Sequence, residues 1–158
     1  MPPKKGKEPE PVVEAAPVVE GPTGKGTFTF EKDFKYSGEF KDINGVKFRE
    51  GFGNYSGGGE TYEGYWKDDQ MSGRGKYTFA SGAYYDGEFE MSKFNGQGIY
   101  MFIDGARYEG NWLQGKMHGE GTYTDSNQVE WEGTFYNGSF DSGIVSSFTI
   151  VACIGGVE

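Results

Sequence analysis

Tyr108-Glu109-Gly110-Asn111-Trp112, followed by Gly119-Glu120-Gly121-Thr122-Tyr123, decides how this chain folds, because the same skeleton recurs on both sides of it. Upstream stand Tyr85-Asp86-Gly87-Glu88-Phe89 with Gly96-Gln97-Gly98-Ile99-Tyr100, and before them Tyr62-Glu63-Gly64-Tyr65-Trp66 with Gly73-Arg74-Gly75-Lys76-Tyr77. The lead aromatics Tyr62, Tyr85, Tyr108 and Trp131 are 23 residues apart each time. A fixed period of this length marks a repeat architecture, in which each unit buries its apolar face against its neighbours.

Within a unit, Tyr62, Gly64 and Trp66 share one face of a strand, and Gly73, Gly75, Tyr77 and Phe79 share one face of the next. Antiparallel pairing that sets Trp66 opposite Gly75, Gly64 opposite Tyr77 and Tyr62 opposite Phe79 gives Trp66 and Tyr77 each a facing position with no side chain. The same register sets Phe89 against Gly98 and Trp112 against Gly121. Glycine weakens a strand, so its recurrence needs a reason of this kind. Ser81-Gly82 and Asp104-Gly105 read as two-residue turns with positive φ, and Ser126-Asn127 takes the equivalent place. No stretch has a sustained helical period. The expected fold is all-β, an elongated single-layer antiparallel meander of hairpin repeats. Its rings line one face, and Ser37, Glu63, Asp86, Glu109 and Glu132 line the other.

Three segments differ in character. Residues 1–22 hold all 6 prolines; they bury too little apolar surface to offset their ordering entropy, and are expected to be disordered or ordered by a partner. The repeat array is expected over residues 23–143. It begins mid-unit at Gly24-Lys25-Gly26, and the unit of Tyr36 carries a three-residue insertion within Lys41 to Glu50, expected as a loop on one face. Residues 144–158 include the apolar strip Phe148 to Ile154. It is expected to cap the array and to add as a strand to a partner or a second copy.

Charge and composition exclude several functions. The net charge is −9 and no Lys or Arg follows Lys116, the wrong sign for a nucleic-acid partner. No apolar run follows Lys4-Lys5, so a secretory signal is not expected. The lone Cys153 fits a reducing compartment. The longest apolar run falls far short of the ~20 residues that span a bilayer.

Catalytic motifs fare no better. Gly110 to Lys116 reads Gly-x-x-x-x-Gly-Lys, yet Met117 stands where a phosphate-binding loop needs Ser or Thr. His118 is the only histidine, so no His cluster can hold a metal or share acid-base work. The acidic series at 63, 86, 109 and 132 reads either as a charged outer face or as a carboxylate ladder for calcium or a glycoside. No catalytic residue, metal or cofactor is expected. The candidate contact residues for a partner are Tyr62, Trp66, Tyr85, Phe89, Tyr108, Trp112, Trp131, Phe148 and Ile150.

The unit Tyr-Glu-Gly-x-Trp-x-x-Gly-x-x-x-Gly-x-Gly-x-Tyr, best seen from Tyr108 to Tyr123, resembles the MORN repeat (membrane occupation and recognition nexus). The resemblance covers about residues 24 to 143. It implies a rod-like or curved β array, no catalytic residues, and a part in assembling protein complexes. Chains made of little else are similar to members from motile cilia and flagella, radial spoke heads among them. The resemblance therefore implies a non-enzymatic scaffold of the cytoplasm and cytoskeleton, in the axoneme, whose partners are other proteins; the apolar strip from Phe148 to Ile154 adds a homodimer as a further expected form. The alternative is a membrane adaptor that reads phosphoinositides through Lys25, Lys32, Lys35, Lys41, Lys47 and Arg49. Glu31, Asp33, Glu39, Asp42 and Glu50 are interleaved with these cations and weaken that field.

Overall fold

The computed structural model describes residues 23–30 and 33–147. The tail 1–22 and the strip from Phe148 onward, with Phe148 and Ile150, lie outside the described residues. Eleven strands follow one another: β1 (Gly24–Thr29), β2 (Lys35–Ile43), β3 (Val46–Gly57), β4 (Glu60–Lys67), β5 (Gln70–Thr78), β6 (Tyr84–Glu90), β7 (Lys93–Met101), β8 (Arg107–Leu113), β9 (Lys116–Thr124), β10 (Val129–Tyr136) and β11 (Ser139–Ser147). They form one antiparallel sheet in chain order, an all-β meander as the repeat pattern requires.

The register differs from the expected one by two residues, and the difference explains the glycines. Gly64 faces Gly75 and Tyr62 faces Tyr77; Gly87 faces Gly98 and Gly110 faces Gly121 in the same way. The pairing continues through every hairpin, so one row of glycines crosses all eleven strands: Gly26, Gly38, Gly53, Gly64, Gly75, Gly87, Gly98, Gly110, Gly121, Gly133 and Gly143. Beside it runs a row of rings, from Phe28 and Tyr36 to Tyr123 and Trp131. The ring still lies over positions without side chains, but it reaches them along its own strand. A methyl group on Gly87 would sit 2.6 Å from Tyr85 Oη, and one on Gly98 would sit 2.5 Å from Tyr85 Cε2.

The two-residue offset comes from the first glycine of each Gly-x-Gly pair. Gly73, Gly96 and Gly119 have φ of 67°, 59° and 69°, a conformation that costs other residues dearly. They sit in bulges: from Gly64 to Trp66 is two steps on β4, whereas the facing path from Gly75 to Met71 is four steps on β5. Phe89 therefore faces Phe94, and Trp112 faces Met117. Across the junction between units, the bulge glycines meet the large rings: Gly51 faces Trp66, Gly73 faces Phe89, and Gly96 faces Trp112.

In the last hairpin, Gly143 and not Ile144 takes the glycine position opposite Gly133, because its bulge between Thr134 and Phe135 holds a single extra residue. Ile144 consequently points to the opposite face.

The tight turns also sit elsewhere than expected. Two-residue turns close the hairpins within units, at Asp68-Asp69 (φ 48° and 64°), Met91-Ser92 (48° and 61°), Gln114-Gly115 (52° and 83°) and Asn137-Gly138 (53° and 95°), the double positive φ of a type I′ turn. Ser81-Gly82 and Asp104-Gly105 belong to three-residue loops. There Gly82 N–H donates to Phe79 O and Phe79 N–H to Ala83 O, both at 2.9 Å, and Gly82 takes φ 92°. Such a loop needs only its third residue in the left-handed region. In the equivalent loop after Asp125 that residue is Gln128, with φ 65°. Replacing Gln128 by glycine is expected to stabilise the sheet by about 0.5–1 kcal/mol, because the left-handed cost exceeds glycine's added chain entropy. Denaturant unfolding checks this, and an unchanged or lower midpoint would refute it.

The insertion between Lys41 and Glu50 is strand and not loop. The β2–β3 hairpin gains the pairs Asp42↔Lys47 and Ile43↔Val46 beyond the depth reached by β4–β5. Its Asn44-Gly45 turn therefore projects about 7 Å past the neighbouring turns.

Candidate interaction surface

The rings that the repeat places on the inner face fall into two depths. Even-numbered strands supply Tyr36, Tyr62, Tyr85 and Tyr108, which are at most 1% exposed, together with Trp66, Phe89, Trp112 and Phe135, which are at most 7% exposed. Their edges meet their neighbours' faces in an unbroken chain. Tyr36 meets Trp66 at 5.6 Å and 84°, Tyr62 meets both Trp66 and Phe89, Tyr85 meets both Phe89 and Trp112, and Tyr108 meets both Trp112 and Phe135. Perpendicular contacts at 4.8–5.6 Å satisfy the ring quadrupoles, each adding about 0.5–1.5 kcal/mol beyond area burial.

The polar tips are satisfied too. The hydroxyls of Tyr62, Tyr85 and Tyr108 donate to the carbonyls of Tyr65, Glu88 and Asn111 at 2.9, 2.9 and 3.0 Å. Trp66 and Trp112 donate Nε1–H to Gly53 O and Gly98 O, both at 3.1 Å.

Six of the expected contact residues, Tyr62, Trp66, Tyr85, Phe89, Tyr108 and Trp112, are thus buried inside the chain's own core. Trp131 is half-buried and packs on Tyr123 at 5.5 Å. The surface available to a partner on this face belongs to the second depth. Odd-numbered strands supply the half-buried Tyr55, Tyr77, Tyr100 and Tyr123, with Phe79 and Phe102 beyond them. Phe79 lies 4.9 Å from Tyr77, and Phe102 lies 4.6 Å from Tyr100 and 6.1 Å from Tyr123. Strand parity alone puts both sets on one face. Only the register reveals that the lead rings lie down over glycine while the second set stands beside them.

Burial raises the ionisation of the lead tyrosines: desolvation pushes Tyr36 and Tyr108 up to about 12, and raises Tyr62 and Tyr85 as well. The folded pKa lies above the unfolded value of about 10, so this burial stabilises fully below pH ~10. That stability is lost as pH rises through 12. In an alkaline titration, tyrosinate absorbance from these four rings should appear only together with loss of the β signal in circular dichroism. Complete ionisation of an intact sheet would refute it.

On the outer face the expected acidic series occupies one row, but on every second strand. Across the sheet the row reads Asn54, Glu63, Lys76, Asp86, Ile99, Glu109, Thr122 and Glu132. Backbones two strands apart lie about 9.6 Å from one another, whereas calcium ligands must all lie within about 2.6 Å of one ion. The row is a charged surface, and among the described residues no group of three or more His, Cys, Asp and Glu could hold a metal. The Gly110 to Lys116 segment runs along β8 into a type I′ turn with no helix behind it, so it cannot cradle phosphate as the strand-to-helix motif does. His118 is half-buried, its ring 5.5 Å from that of Tyr136.

The cations of the first third are largely engaged with carboxylates. Lys25 pairs with Glu39 at 3.1 Å, Lys41 with Glu50 at 3.2 Å and with Asp68, and Lys47 with Asp42 at 3.3 Å. Asp68 and Glu50 hold the Lys41 ammonium above its usual range. Glu39 lies below the usual carboxylate range, through the Phe52 backbone N–H first and Lys25 second. Arg49 donates Nε–H to Asp69 at 3.0 Å while its guanidinium lies 4.1 Å over the Trp66 ring. Lys32 lies outside the described residues.

A single antiparallel sheet whose repeating hairpins bury tyrosine over paired glycines is a repeat protein with a one-sided aromatic core. Comparison with protein families identifies it further: the MORN repeat matches residues 62–84, 85–107 and 108–129, and the chain is a MORN-repeat protein. The units led by Tyr36 and Trp131 lie outside those matches but carry the same glycine row. No curated protein matches the chain.

Proposed function

We propose that the chain is a non-enzymatic scaffold that holds segments of other proteins against its ring-bearing face within a larger assembly. The observation that carries this reading is the strip of half-buried rings, Tyr55, Tyr77, Phe79, Tyr100, Phe102 and Tyr123. An extended segment laid there can seat alternate side chains between rings. The assembly proposed is the axoneme of motile cilia or flagella, a radial spoke or related complex. That placement rests on the resemblance to repeats-only ciliary chains.

The membrane-adaptor reading needs cations free to meet anionic lipid, and four of the five described cations in the first third are already paired with acids. Full-length protein carrying Phe79→Ala and Phe102→Ala, its fold verified by circular dichroism, should lose at least tenfold in the partners it captures from ciliary extract. Undiminished capture of the same partners would exclude this face. Flotation with phosphoinositide vesicles at physiological salt should leave the protein at the bottom of the gradient, and robust flotation would favour the membrane reading.

A further inference from the structure

The ring face is a trough with two half-buried ridges. One is the tyrosine line from Tyr55 to Tyr123, and the other, toward the type I′ turns, is Arg49, Met71, Phe94, Met117 and Phe140. The buried lead rings form the floor between them. The second ridge is apolar except at its start: Phe40 faces Arg49, whereas Trp66 faces Met71, Phe89 faces Phe94, Trp112 faces Met117 and Phe135 faces Phe140. Beside Arg49 a cleft of about 110 Å³ opens, lined by Phe28, Phe40, Phe48 and Lys47 among others. Farther along the same ridge, Lys93 and Lys116 reach neutral amides, Gln114 at 2.9 Å and Asn137 at 2.6 Å, and neither has a carboxylate partner among the described residues.

We propose that residues 11–22 of the same chain occupy this trough and must be displaced by a partner's segment. Pro11-Val12-Val13-Glu14 recurs as Pro17-Val18-Val19-Glu20, six residues on. Six residues of extended or polyproline chain cover about 19–20 Å, and two repeat units, four strand spacings, cover about 19 Å. The segment therefore repeats in step with the sheet. It also enters at the right place, because Thr23 leads into Gly24, and Gly24, Phe40 and Arg49 stand in one row across β1, β2 and β3. Glu20, three residues before Thr23, reaches about 10 Å, the distance from β1 to Arg49. Glu14 then falls about 29 Å out, level with Lys93 on β7, and Glu10 about 40 Å out, beside Lys116 on β9. Lys7 and Lys5 continue over the end of the sheet, where no Lys or Arg follows Lys116.

Arg49 and Lys47 already hold Asp69 and Asp42, so the contact at Glu20 is weak and Lys93 and Lys116 carry more of the charge matching. Weak contacts suffice, because a short tether holds the segment at an effective concentration of order 1 mM and its prolines fix the backbone in advance. A partner then meets an open trough only part of the time, and its apparent Kd rises by the inverse of that fraction. This regulation rests on the scaffold reading, since both concern one face, whereas the docking itself is measurable with no partner present.

Full-length protein with Cys153→Ser, spin-labelled at Ala16→Cys and Ser126→Cys, reports the docking by pulsed electron spin resonance. A docked segment should give a narrow distance distribution near ~25 Å, and an unanchored one a broad distribution centred beyond ~40 Å. Glu14→Lys with Glu20→Lys, both outside the sheet, should convert the first into the second, as should high salt. The same double substitution should raise partner capture from ciliary extract at least threefold. A broad distribution in the parent would overturn the proposal and leave the scaffold reading standing, because that reading is tested by Phe79→Ala with Phe102→Ala. A narrow distribution untouched by the charge reversal would also overturn it. So would a short distance lost on dilution into unlabelled protein, which would put the segment on another copy, or capture that stays constant when the segment is released.

Discussion

Gly87→Ala is expected to destabilise the protein by about 3 kcal/mol, near the upper end for overpacking a tight interior. The added carbon would lie 2.5 Å from the Cα of Gly98 and 2.6 Å from Tyr85 Oη. The first of these contacts is backbone and cannot swing aside. Relief requires the β6–β7 ladder to part or the Tyr85 ring to lift from its bed, and lifting it uncovers Phe89 and Trp112, which pack on it at 5.1 and 5.3 Å. Gly82→Ala supplies the comparison. Its φ is 92° and nothing lies within 4 Å of the added carbon, so the cost is conformational alone, about 1 kcal/mol. Thermal unfolding followed by tryptophan fluorescence should rank Gly87→Ala well below Gly82→Ala. Equal losses would mean that these glycines serve backbone conformation and not the seating of rings.

Tyr85→Ala should cost about 3–5 kcal/mol, as for other large-to-small changes in a closed core. Tyr85→Phe keeps the ring and loses the hydroxyl's 2.9 Å bond to Glu88 O. It should cost about 1–2 kcal/mol, because the carbonyl loses its partner inside the bulge. The alanine variant interrupts the ring chain at its middle. Units contact only their neighbours, so the halves on either side should then melt apart from each other, and a single sharp transition should broaden or split. A Tyr85→Ala protein that melts in one step, within 1 kcal/mol of the parent on the scale of ordinary surface changes, would show that the ring chain does not couple the units.

The period, the all-β class, the shared face of the rings and the one-sided core were legible because each depends only on which residue types recur and on strand parity. Register was not. Gly73 and Gly75 look alike in sequence, yet the first takes a left-handed conformation in a bulge and the second lies extended beneath Tyr62. That one difference adds two residues to the path and slides every predicted pair within a unit. The turns were misplaced for a related reason. Ser81-Gly82 advertises itself through glycine, while Met91-Ser92 and Asp68-Asp69 form the tighter turns without one. They are held there by the neighbouring unit: Asp69 N–H donates to Arg49 O at 3.1 Å and Ser92 N–H to Met71 O at 3.0 Å. Depth was likewise invisible, since Tyr85 and Tyr100 share face and chemistry and differ only in which lies down over glycine.

The glycine row has a consequence for measurement of distance. Every unit contributes two strands and no interior that depends on how many units precede it, so one more repeat lengthens the sheet by about 9.6 Å and leaves its cross-section unchanged. Whatever is bound at two points along such a sheet is held at a spacing counted in whole repeats. The chain is a ruler graduated by its glycines.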